Sequence, residues 1–253
     1  MALLADGRIS TLDRLQAIDA SVVEVARVER VDLDRKLEMA TDEVSLQLKK
    51  FLIEQGLASR VAGGDGEVDF ERIVVTAGLA RWHALETLSM AYSDAYFSQL
   101  NDRYKQKWEH YRDLAAEASR LLFDTGIGCV SAGVKRAASP MVVSSGSPGL
   151  PATYFVSIVW RNASGANGEP SELTVLATSD LILVSAPEAV PDGWTFDVYV
   201  GPSDREMTKQ NVDPVAAGST WPMPPGLLLH GAGLPVGQTP EFYLRRQRIW
   251  QRG

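Results

Sequence analysis

Few side chains in this sequence could carry enzyme chemistry. Three histidines and one cysteine, Cys129, are present, which leaves too few ligands for a zinc site made of His and Cys. Neither His83 nor His110 has a serine or cysteine partner at a strand-to-helix elbow, the arrangement that marks a hydrolase triad. We therefore expect partly buried structural histidines, an unreactive Cys129, and no catalytic residue, cofactor or metal. The sequence leaves open a catalytic pair of carboxylates that come together only in the folded chain.

Two glycine-rich segments, 63–66 and 126–128, could in principle cradle a phosphate at the start of a helix. Neither is followed by Gly-Lys-Ser/Thr, and neither comes after a βαβ pattern. We interpret both segments as connecting loops.

The C-terminal residues 241–253 differ in charge from the rest of the chain. They hold four basic side chains against one acidic side chain, whereas residues 1–145 hold 18 against 22 and residues 146–240 hold 3 against 9. Arginine, tyrosine and tryptophan are enriched at the anchor points of protein interfaces. The sequence thus predicts a protein-binding arm formed by Tyr243, Arg245, Arg246, Arg248, Trp250 and Arg252. A strand that completes the C-terminal domain, or a frayed tail, remains an equal alternative.

A second aromatic group lies in the first half of the chain. Because the local charge is nearly balanced, we predict helix core or subunit contact rather than a base-stacking surface. Its members are Trp82, Tyr92, Tyr96, Phe97, Tyr104, Trp108 and Tyr111.

The overall charge and composition exclude several classes of protein. A net charge of −7 and a pI near 5.1 argue against a body that binds nucleic acid by neutralising phosphates. The longest uncharged runs, 137–160 and 214–240, are rich in proline, glycine and serine, so we expect no membrane span. Residues 1–6 lack the basic and apolar parts of a signal peptide, which suggests a chain made and kept in a cytoplasm.

Proline and periodicity divide the chain in two. All 13 prolines lie at or after Pro140, which leaves the first half free to form helices. Apolar residues there recur at three- and four-residue steps and predict four helices: one from Ser10 or Thr11, one from Asp32 to Gly56, one over 70–100 and one over 102–126. Beyond 150 the pattern alternates with period two, and strands are predicted over 153–160, 173–177, 181–185 and 194–200.

These patterns predict an α plus β protein with several domains. A helical bundle of about four helices occupies 1–130, a linker follows over 131–150, and an immunoglobulin-like β-sandwich occupies 151–240. The arm 241–253 completes the chain. Trp160 and Trp194 lie in phase with the apolar faces of their strands, so both are expected in the sandwich core.

The helical half resembles a known family over about residues 10–127. The resemblance rests on helix order, on Asp-Leu-Asp-Arg-Lys-Leu at 32–37 and on the Asp-Arg-x-x-x-Lys-x-x-x-Tyr opening of the last helix at 102–111. These features resemble the head-to-tail adaptor (connector) proteins of tailed bacteriophages. Segments 153–160, 168–171, 193–201 and 237–240 look like the immunoglobulin or fibronectin type III modules of phage structural proteins.

The resemblance implies a structural virion protein of the phage neck. Adaptors form a homo-oligomeric ring, usually of about twelve copies, that binds the portal and through which genomic DNA passes without sticking. The implied partners are other copies of the chain, the portal protein and a tail or nozzle/stopper protein, with assembly in the host cytoplasm and no membrane. The added β-module leaves open which end faces the portal. The alternative is a phage tail, fibre or decoration protein whose β-module binds a host surface.

Overall fold

The computed structural model describes residues 1–7, 9–61, 68–99, 102–226 and 228–246. Within these ranges the α-helices are α1 (Leu12–Ile18), α2 (Val22–Glu29), α3 (Leu33–Glu54), α4 (Ala77–Gln99) and α5 (Asp102–Thr125). The strands are β1 (Ile127–Cys129), β2 (Met141–Arg161), β3 (Thr174–Ser185), β4 (Thr195–Gly201), β5 (Thr208–Lys209), β6 (Val215–Ala216), β7 (Thr220–Pro222) and β8 (Phe242–Leu244). The predicted α plus β class is confirmed. None of the described helices has both the length and the apolar character of a membrane span.

The chain forms two compact units, and each is discontinuous in sequence. The helical unit contains Gly7–Ser131 and the residues from Pro240 onward, while the β unit contains Met1–Asp6 and Ala132–Thr239. The boundary predicted near residue 130 is therefore close, but Met1–Asp6, predicted in the helical bundle, belongs to the β unit, and the predicted separate arm begins within the helical unit. Asp6 shows why for the first segment, because its carboxylate accepts a hydrogen bond from the Arg136 amide at 2.7 Å.

The described residues form five helices where four were predicted. The first predicted helix is split into α1 and α2 because the Asp19 carboxylate accepts hydrogen bonds from the Ser21 amide and hydroxyl, at 3.0 and 2.7 Å. The helix predicted from residue 70 begins later, at Ala77, because Asp69 caps only a short 3-10 turn, Phe70–Arg72. The limits predicted for α3 are confirmed: Asp32 caps its first turn, and Gly56 follows its end with a φ of 63°.

A buried carboxylate, that of Asp19, joins α4 and α5 to the α1–α2 junction. One of its oxygens accepts hydrogen bonds from the Tyr92 hydroxyl at 2.7 Å, the Lys107 ammonium at 2.7 Å and the Tyr111 hydroxyl at 2.9 Å. Burial alone would raise the pKa of Asp19, but the hydrogen bonds from Lys107, Tyr92 and Ser21 outweigh it and hold that pKa well below its ordinary value. The cluster thus holds an ionised carboxylate inside the helical unit.

Aromatic packing joins α3, α4 and α5 at the other end of the bundle. The rings of Phe51 and Phe123 are stacked with centroids 4.5 Å apart, and Trp82 meets Phe123 edge-on at 5.6 Å. All three side chains are buried. This confirms the predicted core role for Trp82, and Tyr92, Tyr104 and Tyr111 are buried as well, whereas Phe97 is exposed.

The β unit is one antiparallel sheet along the order β5-β4-β2-β3-β7, with β6 also paired to β4. Strand β2 is long, and its register with β3 shifts on both sides of Pro148. Residues from both parts of the sheet share a single buried cluster: Val156, Val198 and Phe196 on one side of the shift, and Ile182 and Val184 on the other. Both parts of the sheet therefore contribute to one core.

The interpretation of residues 131–150 as a linker is wrong. From Met141 onward this segment is the first part of β2, and Met141 to Ser144 pair in register with β3. Gln238 holds the preceding residues through hydrogen bonds to the Val134 amide at 2.6 Å and the Ala132 carbonyl at 2.9 Å. The glycine and proline residues that suggested a linker lie where the register shifts, a common use of these residues within strands.

The two tryptophans predicted for this core differ in burial. Trp160 is fully buried, its ring meets Phe196 at 5.8 Å, and its indole N–H donates to Glu188 at 2.8 Å. Trp194 is only partly buried and packs against Trp160 at 6.4 Å. The core position is therefore confirmed for Trp160, whereas Trp194 lies at the margin of the core.

We expect Asp19→Asn to destabilise the full chain by about 2 kcal/mol at pH 7, because it removes the charge that Lys107 pairs with. The pKa of Asp19 lies below its ordinary 3.8, so this stabilisation is complete at neutral pH and is lost as the pH falls below about 4. Denaturant unfolding at several pH values should show the variant and wild type converging in acid. Asp13→Asn, an exposed change on α1, is the control, and an equal loss in both variants would contradict the assignment.

We expect Trp160→Ala to lower the free energy of unfolding by about 3–5 kcal/mol, because it empties the centre of the β core and leaves Glu188 without its indole donor. Trp194→Ala should cost about 1–2 kcal/mol, since part of that ring is already in solvent. Thermal unfolding of the two full-length variants measures the difference. Equal losses would show that the rings share one environment.

Candidate protein interface on the helical unit

The predicted C-terminal arm begins as a strand of the helical unit. β8 pairs antiparallel with β1, which sets Leu244 opposite Ile127 and Phe242 opposite Cys129. The Glu241 amide donates to the Cys129 carbonyl at 2.9 Å, and the Arg246 amide donates to the Phe123 carbonyl at 3.1 Å. Residues 241–246 are therefore neither frayed nor part of the β unit, which excludes both alternatives for this part of the arm.

Gly128 makes this pairing possible. A Cβ atom at this position would lie 2.7 Å from Pro240 Cγ and 2.8 Å from Thr76 Cγ2, which is closer than packed carbon atoms approach each other. Only glycine lets the chain on both sides come this close. The segment 126–128 thus serves strand packing, and 63–66, the other glycine-rich segment, lies outside the described residues.

Three of the six predicted interface residues can be placed. Tyr243 is 55% exposed, and Arg245 and Arg246 are exposed beside it. Arg248, Trp250 and Arg252 lie outside the described residues. The strand pairing fixes the base of the arm on the helical unit, so its described polar side chains belong to one defined surface.

Arg246 borders a groove of about 400 Å³ between α3, α4 and α5. Its lining includes the apolar side chains of Trp82, Ala115 and Phe123 and the cationic side chains of Arg112, Arg120 and Arg246. The prediction from sequence did not include the two helix arginines, although a spacing of eight residues on a helix places both on one face. With Arg246 they form a basic surface on an acidic protein.

The charges around the groove are only partly compensated. Arg112 contacts Asp113 at 3.1 Å and lies over the Trp108 ring at 5.6 Å, while Arg120 lies 3.8 Å from Asp124. Burial, with a further contribution from the charge of Glu43, raises the pKa of Glu86 inside the groove. The groove is therefore suited to an acidic segment that also carries an apolar side chain, because arginine binds carboxylates with two parallel hydrogen bonds.

Ser10 and His83 form the hydrogen bond that most resembles a catalytic pair. The Ser10 hydroxyl donates to His83 Nδ1 at 2.6 Å, and His83 Nε2 donates to the Leu37 carbonyl at 3.1 Å. Both side chains are buried, beside a cavity of about 590 Å³. A backbone carbonyl, rather than a carboxylate, therefore orients the imidazole.

Electrostatics limit what this pair can do. Burial lowers the pKa of His83 to about 4, and the hydrogen bond to Leu37 only partly opposes that effect. A base of this strength removes a proton from a serine poorly at neutral pH. The prediction of a buried structural histidine is confirmed for His83, but His110 is exposed and that prediction is wrong for it.

Two further expectations concern sites that could hold reactive or metal-bound groups. Cys129 is fully buried in β1, and burial raises the pKa of its thiol to about 12, so it is unreactive as predicted. Within the described residues, no group of three or more His, Cys, Asp or Glu side chains is arranged to hold a metal ion. The basic groove and arm are the surface that these observations single out.

His83→Gln should flatten the pH dependence of stability between pH 7 and pH 5. The pKa of His83 is lowered from 6.5 to about 4 by folding, so its contribution is present above pH 6.5 and is lost as the pH falls towards 4. The wild type should therefore lose about 2 kcal/mol of its free energy of unfolding between pH 7 and pH 5. Unfolding curves at both pH values measure the slope, His110→Gln is the control, and an unchanged slope in His83→Gln would refute the assignment.

Neither a scan against protein-family models nor a search of curated proteins finds a match for this chain. The assignment of the basic groove and arm as an interface therefore rests on their own geometry.

Proposed function

We propose that the protein is a structural head-to-tail adaptor of a tailed-phage neck, whose copies form a ring between portal and tail through which DNA passes. The observation that carries the proposal is the basic surface made by Arg112, Arg120 and Arg246, which lies at the base of the arm that starts at β8. A strand anchors the base of this arm on the helical unit, so the arm starts from a defined place. This suits a protein that works by joining other proteins.

The charge distribution supports a channel that does not retain DNA. The chain carries a net charge of −7 although residues 241–253 are basic. A ring of about twelve such subunits presents an acidic body to phosphates and keeps its arginines for protein contacts. We expect no tight binding of double-stranded DNA at physiological salt.

We assign the β unit to the immunoglobulin-like or fibronectin type III-like class within this proposal. The support is an antiparallel sheet whose two parts both contribute to one core around Trp160. A module of this kind adds a second surface to each subunit, available to a portal, a tail protein or a nozzle/stopper protein. The location proposed for the whole chain is the virion.

Mixing the protein with portal protein tests the proposal directly. Electron microscopy of the mixture should show rings of the protein attached to the portal. Arg112→Glu, Arg120→Glu and Arg246→Glu combined should weaken attachment at least about tenfold, because each change places a carboxylate where an acidic partner is expected. Arg27→Glu combined with Arg205→Glu, changes at two exposed residues that do not line the groove, is the control and should attach normally.

Deleting residues 247–253 examines the arm separately. This truncation keeps β8 and its pairing with β1. Rings that form but fail to join the portal would assign the arm to the portal, and loss of rings would assign it to contacts between subunits. The proposal would be contradicted if the triple arginine variant and the truncated protein both assembled and attached normally. A protein that forms no ring but binds host-cell glycans would favour the host-surface alternative.

A further inference from the structure

Helix α3 carries an apolar line on its outer face. Met39, Leu46 and Ile53 are exposed to 42%, 63% and 57%. They are spaced by seven residues, so they follow one line along the helix with a drift of only about 20° at each step. The buried residues of the helix, among them Ala40, Val44 and Leu48, lie on the opposite side.

Charged residues lie at equal distances before and after Leu46, with opposite signs on the two sides. Asp42 precedes Leu46 by four residues, and Lys50 follows it by four. Glu43 and Lys49 repeat the same signs at a distance of three residues. Within four residues of Leu46, the charges before it are thus acidic and those after it are basic.

The geometry points to a two-fold contact in which α3 of one copy packs antiparallel against α3 of a second copy, with Leu46 on the axis. In this register Met39 lies opposite Ile53 of the other copy, and Asp42 lies opposite Lys50. Each pair occurs twice because a two-fold contact is self-complementary. Because the helices run antiparallel, the positive end of each helix dipole lies beside the negative end of the other, which is favourable.

A second copy of this chain is the occupant that explains both features of the helix. Reversal of the chain direction leaves the apolar line unchanged and exchanges the acidic residues Asp42 and Glu43 for the basic residues Lys50 and Lys49, as an antiparallel copy requires. The seven-residue spacing is the one that keeps two helices in contact along a seam. Lys50 has only a 3.8 Å contact with Glu54 on its own helix, and both side chains are exposed enough to repartner.

The contact is small and does not depend on the proposed ring. Three apolar side chains from each copy bury less area than a stable dimer usually needs, so the free protein should associate weakly, with a dissociation constant of about 10–100 μM. A ring requires contacts between different faces, whereas this contact closes with two copies. The protein can therefore form the two-fold α3 contact without the ring, or the ring without the two-fold contact.

Cysteine cross-linking tests the position of the axis. Leu46→Cys should form a disulfide-linked dimer of the full chain under mild oxidation, because residue 46 faces its own copy. Glu38→Cys on the same helix is the matched control, since its two copies would lie about 24 Å apart along the pair. The wild type should give no dimer, because Cys129 is buried. Equal cross-linking of the two variants would overturn the proposal.

Charge exchange tests the register independently. Asp42→Lys and Lys50→Asp should each weaken association by about tenfold, because each places like charges opposite each other twice. The double variant should associate like the wild type, since the exchange restores opposite charges across the axis. Sedimentation velocity measures all four proteins, and a double variant weaker than either single one would refute the two-fold register. Ring formation with the portal is scored separately, so either proposal can fail alone.

Discussion

The helical unit depends on one buried carboxylate that stays ionised. Asp19 would be costly to bury alone, and five donor groups from Ser21, Tyr92, Lys107 and Tyr111 offset that cost. Because these donors lie on α4 and α5 as well as on the α1–α2 junction, the charge can be satisfied only when these parts of the chain meet in one arrangement. Apolar packing tolerates small shifts, but a buried charge with directional hydrogen bonds does not. The cluster thus selects one arrangement of these helices.

The distinction between local and distant contacts explains which elements could be predicted from the sequence. Period, capping residues and glycine stops act locally, so the limits of α3 and the strong alternation of β4 could be predicted from their own residues. The break at Asp19 could not, because a carboxylate in a helical pattern has the same local signature whether it meets solvent or two tyrosines from distant helices. The long strand β2 was missed for a related reason. Its glycine and proline residues are typical of linkers, and only the pairing with β3 distinguishes a register shift from a flexible segment.

The candidate interface shows the same division between local and distant information. The composition of residues 241–253 indicated a binding segment, and Tyr243, Arg245 and Arg246 are exposed as an interface requires. Arg112 and Arg120 joined the site only through the fold, since β8 brings Arg246 to the groove that they line. The composition of a segment can suggest that it binds another molecule. The shape of the binding site, however, depends here on Arg112 and Arg120, which precede Arg246 by more than a hundred positions.

The chain passes between its two units three times, after Asp6, after Ser131 and after Thr239. Neither unit is therefore a contiguous stretch of sequence, and cutting the chain once between them would leave two further covalent connections. During synthesis the helical unit must wait for β8, which emerges only after the entire β unit has been made, before β1 gains its partner. The order of synthesis thus makes completion of the helical unit, and presentation of the arm that it anchors, an event that follows synthesis of the whole β unit.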